Sequence, residues 1–273
     1  MKSSAIGFRH WTGVWNIGVF VCIVCVLPTA CAEDQFSESF ANQHHNQAVM
    51  GIVGDRNAIV PADQGLEIHI RPPATENAGI RYSPYLVGDF VVTVNCTLLE
   101  TPVPSGGHGT GIALLLEDGQ SRGASLQRVI MPGGRQFLIT HHYTVVDSQY
   151  DHQAKQTTFD ANEVTLQIER TGESLIYRAA AQGTTDLQEL DRVSFTSKPL
   201  PVAQVYGQTG GAANEVNVRI DSIKIIADEL LRPGQPSRVD DGTKTTIIGG
   251  VVLCLAAVAT GLFLLRQRRK SAQ

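Results

Sequence analysis

Three groups of residues could do chemistry. His141, His142, Asp147, Asp151 and His152 crowd one stretch of the chain, and imidazole with carboxylate is a ligand set for a transition metal. If the stretch is a strand, however, His141 and His142 point to opposite faces, so no metal site is expected without a bulge. Gly119-Gln120-Ser121-Arg122-Gly123 has the spacing G-x-S-x-G of a nucleophile elbow. That device needs a strand turning sharply into a helix. Here ASLQRVIM follows and stops at Pro132-Gly133-Gly134, so the motif reads as a polar hairpin loop. The third group is neutral: Thr93, Asn95 and Thr97, then Thr140, His142 and Thr144, then Thr165, Gln167 and Glu169, each alternating with apolar residues. If those strands share a sheet, its outer face is a field of hydrogen-bonding groups suited to an uncharged polyol, and Asn95, His142 and Gln167 are the candidate binding residues. Thr is also simply a good strand former, and a solvated sheet face gives the same pattern.

The elements that must position these groups are strands. Period-two runs recur at 65–70, 89–100, 110–117, 124–131, 135–146, 163–170, 173–179 and 215–227, with Gly-rich punctuation between them and no sustained 3.6-residue pattern. The segment FDANEVTLQIERTGESLIYRAA reads as a hairpin hinged at Thr171-Gly172, with Val164, Leu166 and Ile168 toward the core. Many strands without interleaved helices predict a sandwich or jelly roll. Residues 33–60 are less regular and read as one strand and a loop.

The ends of the chain point to a membrane. Lys2 and Arg9 precede an apolar run from Val14 to Leu27, and Ala30-Cys31-Ala32 follows, which is the pattern of a secretory signal peptide over 1–32. An uncleaved span and a lipoprotein acylated at Cys31 are the alternatives. Residues 245–265 are uncharged and long enough to cross a bilayer, and Arg266, Arg268, Arg269 and Lys270 mark the cytoplasmic side. The expected organisation is a signal peptide, an extracytoplasmic domain over 33–227, a stalk over 228–244, a transmembrane helix over 245–265 and a basic tail over 266–273. Gly250, Cys254, Ala257 and Gly261 would share one helix face and could pair two copies through the membrane.

Charge narrows the partners. The chain has 26 acidic and 22 basic residues; six of the basic ones lie in 1–32 and 266–273, so 33–244 holds 16 and a formal charge of −10. Nucleic acid is therefore not an expected partner of the domain. Of five cysteines only Cys96 falls inside it, which leaves no disulfide framework and no cysteine metal site. Both tryptophans, Trp11 and Trp15, lie in the signal peptide, so aromatic contact with a sugar would fall to the tyrosines; Tyr143 and Tyr177 sit among apolar residues and read as core.

In order, GDFVVTVNCTLLETP, GHGTGIALLLEDG, the 159–180 hairpin and VYGQTGGAANEVNVRIDSIKIIADEL resemble the concanavalin A-like lectin/glucanase jelly rolls over residues 60–230. They look similar to a bacterial branch carried as a domain of unknown function in secreted and membrane proteins. The resemblance implies an all-β, concanavalin A-like jelly-roll sandwich, here with a single C-terminal transmembrane helix. Laminarinase-like members carry E-x-D-x-x-E on one strand, because retaining hydrolysis needs two carboxyls about 5–5.5 Å apart. Glu189-Leu190-Asp191 is followed by Ser194 where the second Glu would stand, so the pair reads as surface charge. The expectation is a membrane-anchored envelope module that binds glycan or protein, with no catalytic residue, metal or cofactor. A glycan hydrolase or lyase with an unrecognised site, and a purely structural envelope protein, are the alternatives.

Overall fold

The computed structural model describes residues 33–41, 46–232 and 234–235. The expected signal peptide, the expected transmembrane helix with its small-residue stripe, the basic tail and most of the expected stalk lie outside the described residues. Among the described residues no helix is long and apolar enough to cross a membrane. Fifteen strands are described: β1 (Asp34–Ser39), β2 (Met50–Val53), β3 (Ile59–Ala62), β4 (Gly65–Ile70), β5 (Ala78–Tyr82), β6 (Tyr85–Leu98), β7 (Thr110–Glu117) and β8 (Arg122–Ile130) come first. Then follow β9 (Gln136–Val146), β10 (Gln149–Thr158), β11 (Glu163–Thr171), β12 (Ser174–Ala181), β13 (Gln188–Ser194), β14 (Val202–Gln208) and β15 (Val216–Leu231). A 3-10 turn, Arg56–Ala58, lies between β2 and β3.

The strands form two stacked sheets. One has eight strands in the order β13-β12-β11-β6-β15-β4-β3, with β1 also paired to β15; the other has seven, in the order β10-β9-β8-β7-β14-β5-β2. The sandwich follows from alternation. On β6 the buried Phe90, Val92, Val94, Cys96 and Leu98 face the other sheet while Thr93, Asn95 and Thr97 face away, and on β11 Val164, Leu166 and Ile168 do the same. Opposite them Ile112, Leu114 and Leu116 of β7 and Ala124 and Leu126 of β8 close the core. Each such fully buried Val, Leu or Ile contributes about 1.5–3 kcal/mol.

Two arginines sit inside this apolar layer, held by carbonyls. Arg170 on the inward face of β11 donates to the Gly88 carbonyl at 2.8 Å and to the Lys198 and Thr196 carbonyls at 2.6 and 3.2 Å, its guanidinium 4.6 Å from the Phe90 ring centre. Arg128 on β8 donates to the Ala161 and Val129 carbonyls and to the Gln136 side chain. Desolvation brings both guanidinium pKa values down to about 10, so both remain cationic at neutral pH. A buried cation is tolerated where hydrogen bonds replace its water, and these two tie Gly88 of β6 and the loops at 161 and 196–198 to the core.

The eight predicted strands are all present, and the hairpin at 163–181 turns through Gly172 at φ +58°. Of the seven further strands, one was expected within residues 33–60 and six were not. β10 and β13 are edge strands with polar residues on both faces, so they carry no alternation. The β9–β10 turn is Asp147-Ser148 with φ of 51° and 63°, a left-handed pair made without glycine. Residues 33–60 hold β1, β2 and the start of β3 rather than one strand and a loop. β15 runs on to Leu231, so the first four residues of the expected stalk belong to the sheet.

Candidate functional site

Strand register places the candidate residues on separate surfaces. Asn95 and Gln167 do share the outer face of the eight-stranded sheet. His142 lies in the seven-stranded sheet, in phase with core Leu138 and turned toward the space between the layers. The supposition of one shared face is therefore corrected. In RQFLITHHYTVV the phase Phe137, Ile139, His141, Tyr143 is the more apolar and looked inward; pairing with Leu126 and Ala124 puts Thr140 and His142 inward instead. Tyr143, read as core, is accordingly on the outside, while Tyr177 is core as expected, with no exposed surface.

The outer face of the eight-stranded sheet is a closed hydrogen-bond ladder. Thr165 donates to Asn95 Oδ1 at 2.7 Å and Asn95 Nδ2 donates to Ser222 at 2.9 Å. Gln167 Nε2 donates to Thr93 at 3.1 Å, and its Oε1 accepts from Arg178 at 3.3 Å. Both ends of each amide are thus engaged within the sheet.

The outward face of the seven-stranded sheet is different. Small residues recur on it, Gly111 and Ala113 from β7 and Gly123 and Ser125 from β8, each opposite a larger one, Val129, Gln127, Glu117 and Leu115 in turn, and beside Gln127, Met131 and Ile139 the face is recessed into a trough. Tyr143 lies across Gly123, where an added Cβ would come within 2.2 Å of its ring. Tyr206 is paired with Gly79, where an added Cβ would meet the Val205 carbonyl oxygen at 2.2 Å and Tyr206 Cα at 2.5 Å, so the two strands approach too closely for a side chain there. At Gly123 the absent side chain thus seats an aromatic ring from the next strand.

On one side of the trough β9 and β10 carry an aromatic cluster. Tyr143 and Tyr150 have ring centres 5.5 Å apart, Tyr150 and His152 stack at 5.4 Å with 8° between planes, and His141 and His152 lie at 5.3 Å. Tyr150 is 62% exposed. Along the floor Gln127 donates to Ser125 at 2.8 Å and accepts from Gln208 at 3.1 Å. A cleft of about 530 Å³ opens here, bounded by His108, Gln127, Met131, Ile139, His141, His152 and Gln208 among others.

Glu117 is the sole carboxylate that the seven strands direct to this face, among the described residues. It accepts the Tyr143 hydroxyl at 2.5 Å. Burial first, then this hydrogen bond and the carboxylate's charge, push the Tyr143 phenol far above its ordinary pKa, and burial followed by Glu117 raises Tyr206 to about 12. Both tyrosines are therefore neutral donors at physiological pH. Burial pulls the His141 pKa down, with help from His152 and His142, which favours the neutral ring.

The other motifs resolve as loops and ties. Gly119–Gly123 closes the β7–β8 hairpin, where Asp118 Oδ1 accepts from the amides of Gln120, Ser121 and Arg122 at 2.8–2.9 Å. Glu189 pairs with exposed Arg192. Asp191, beyond a bulge at Tyr177/Arg178, turns between the sheets and accepts from Thr140 at 3.1 Å, so it is not the surface charge expected. Among the described residues no group of three or more His, Cys, Asp or Glu is arranged to hold a metal ion.

Two facing antiparallel sheets with a recessed outer surface define a sandwich of the concanavalin-like lectin/glucanase fold. The structure of LamAcat from Zobellia galactanivorans is similar at a TM-score of 0.51 and 10% identity, covering 70% of this chain and 96% of that one. A β-1,3-glucanase from Mycobacterium marinum gives 0.50 and 10%, over 70% and 97%. The CBM2 module of the evolved Dit protein of Lactobacillus casei BL23 phage J-1 gives 0.50 and 8%, over 71% and 96%. At such identities the likeness is one of fold. No curated protein matches the chain. Residues 29–244 match the family described as protein of unknown function (DUF1583) C domain, and the chain belongs to that family.

Proposed function

We propose that this domain binds an uncharged glycan in the trough of the seven-stranded sheet, displayed outside a membrane that the chain enters through residues 245–265. The observation that carries the reading is one cleft walled by His141 and His152 and floored by the amides of Gln127 and Gln208, with Tyr143 and Tyr150 extending the aromatic wall beyond it and Ser125 bonded to Gln127. Sugar rings present apolar C–H faces and a rim of hydroxyls, and a site of this kind meets both. The formal charge of −10 over 33–244 disfavours an anionic polysaccharide. Glu117 stands without a second carboxylate on its face, which supports binding over two-carboxylate hydrolysis.

The fold shared with a β-1,3-glucanase favours one alternative, hydrolysis through Glu117. Incubating purified full-length protein with neutral glycans, while measuring both retention and release of reducing ends, separates the two. Retention without cleavage, weakened about tenfold by Gln127→Ala, is the expected result. Turnover that disappears in Glu117→Gln would replace binding by hydrolysis. Export and anchoring are tested apart: protease added to intact cells, or to spheroplasts where an outer membrane intervenes, should digest 33–240.

A further inference from the structure

The sequence gives no metal motif, because His141 and His142 project oppositely. Strand pairing supplies what the sequence order conceals. β9 and β10 are antiparallel with His141 opposite Ala154 and Tyr143 opposite His152, so His141 and His152 are diagonal neighbours on one face. Their facing nitrogens, His141 Nε2 and His152 Nδ1, are 3.1 Å apart. Two ligands each about 2.05 Å from a single ion, at a tetrahedral or square-planar angle, stand roughly 2.9–3.4 Å apart.

We propose that His141 and His152 form a chelating pair for a divalent d-block cation, with Cu2+ preferred. Imidazole nitrogens suit Cu2+, Ni2+ and Zn2+, and at a pair without further protein ligands the ordinary order of stability places Cu2+ first. The small Ala154 side chain opposite His141 leaves room beside the pair, and the adjacent cleft leaves the remaining coordination positions to solvent. In the metal-bound form each ring carries its proton on the other nitrogen, Nδ1 of His141 and Nε2 of His152, so binding by the neutral pair releases no proton. The acidic domain adds a general attraction for a cation. The site does not depend on the glycan reading and binds metal with no sugar present.

Titrating the full-length protein with Cu2+ alone, followed by electron paramagnetic resonance and calorimetry, tests it. The expected result is one ion with nitrogen donors in its equatorial plane, and at least about tenfold weaker binding in His141→Ala and in His152→Gln. His152→Gln alters only exposed strand β10 and leaves the core intact. His142→Ala, on the opposite side of β9, should leave the affinity unchanged. Absence of Cu2+ binding overturns the proposal, as does affinity unchanged in both His141→Ala and His152→Gln.

Discussion

Replacing Gly123 by Ala strikes the site without removing any of its functional groups. The new methyl would lie 2.2 Å from Tyr143 Cε1 and 2.7 Å from its hydroxyl, so the ring has to swing off β8 and release Glu117. A hydrogen bond to a charged acceptor is worth about 1.5–3 kcal/mol, and both partners here are half exposed, which favours the lower end. Against this, Gly→Ala at ordinary backbone angles restricts the unfolded chain and stabilises by about 0.4–1 kcal/mol. The net expectation is a loss of about 1 kcal/mol, read by urea denaturation, together with weaker glycan retention because the aromatic wall has moved. The decisive comparison is the same substitution in a Tyr143→Ala background, where no ring obstructs the methyl and Gly123→Ala should be neutral or stabilising. An equal loss in both backgrounds would refute the ring-on-glycine account.

Asp118→Ala should cost about 1–2 kcal/mol at pH 7, since three amides lose their acceptor. Partial burial alone would raise the Asp118 pKa, but the three amides outweigh it and hold it below the ordinary value. A depressed native pKa stabilises above the unfolded pKa of about 3.9 and is lost as pH falls through the native value, so in thermal melts the gap between wild type and variant should begin to narrow at about pH 4 and continue to narrow as the pH falls through the native pKa. Arg170→Met should destabilise by more than about 3 kcal/mol in denaturant titration, because the Gly88, Thr196 and Lys198 carbonyls lose their donor inside the fold. Asn95→Ala and Gln167→Ala should each cost about 0.5–1.5 kcal/mol of stability and leave glycan retention unchanged, as members of a closed ladder rather than a site.

Much of the sandwich was legible because its inner strands alternate cleanly. β6 and β11 have Val, Leu, Ile and Cys96 on one phase and Thr, Asn and Gln on the other, and only one assignment buries the apolar set. The strands that escaped are those for which alternation carries no information. β10, with the sequence QYDHQAKQTT, is wet on both faces, and β14 is only seven residues long, VAQVYGQ, running into a glycine cluster. The site was illegible for a related reason. It is built from the outward phase of β7, β8 and β9, where small residues make room for Tyr143, and recognising it requires knowing which strands are adjacent. Polarity pointed instead to the eight-stranded sheet, where polar side chains bond to one another. One signal was present: Gly111, Ala113, Gly123 and Ser125 are small residues on a single phase of two neighbouring strands, where a sheet face open to water has no need of them.

The most direct test of the central claim is hydrogen exchange on the full-length protein with and without a retained neutral glycan. Slowed exchange confined to β8, β9, β10 and the loop before β7, residues 122–130, 136–158 and 105–109, is the predicted result. Protection instead at β6 and β11, residues 85–98 and 163–171, would place the ligand on the eight-stranded sheet and contradict the account.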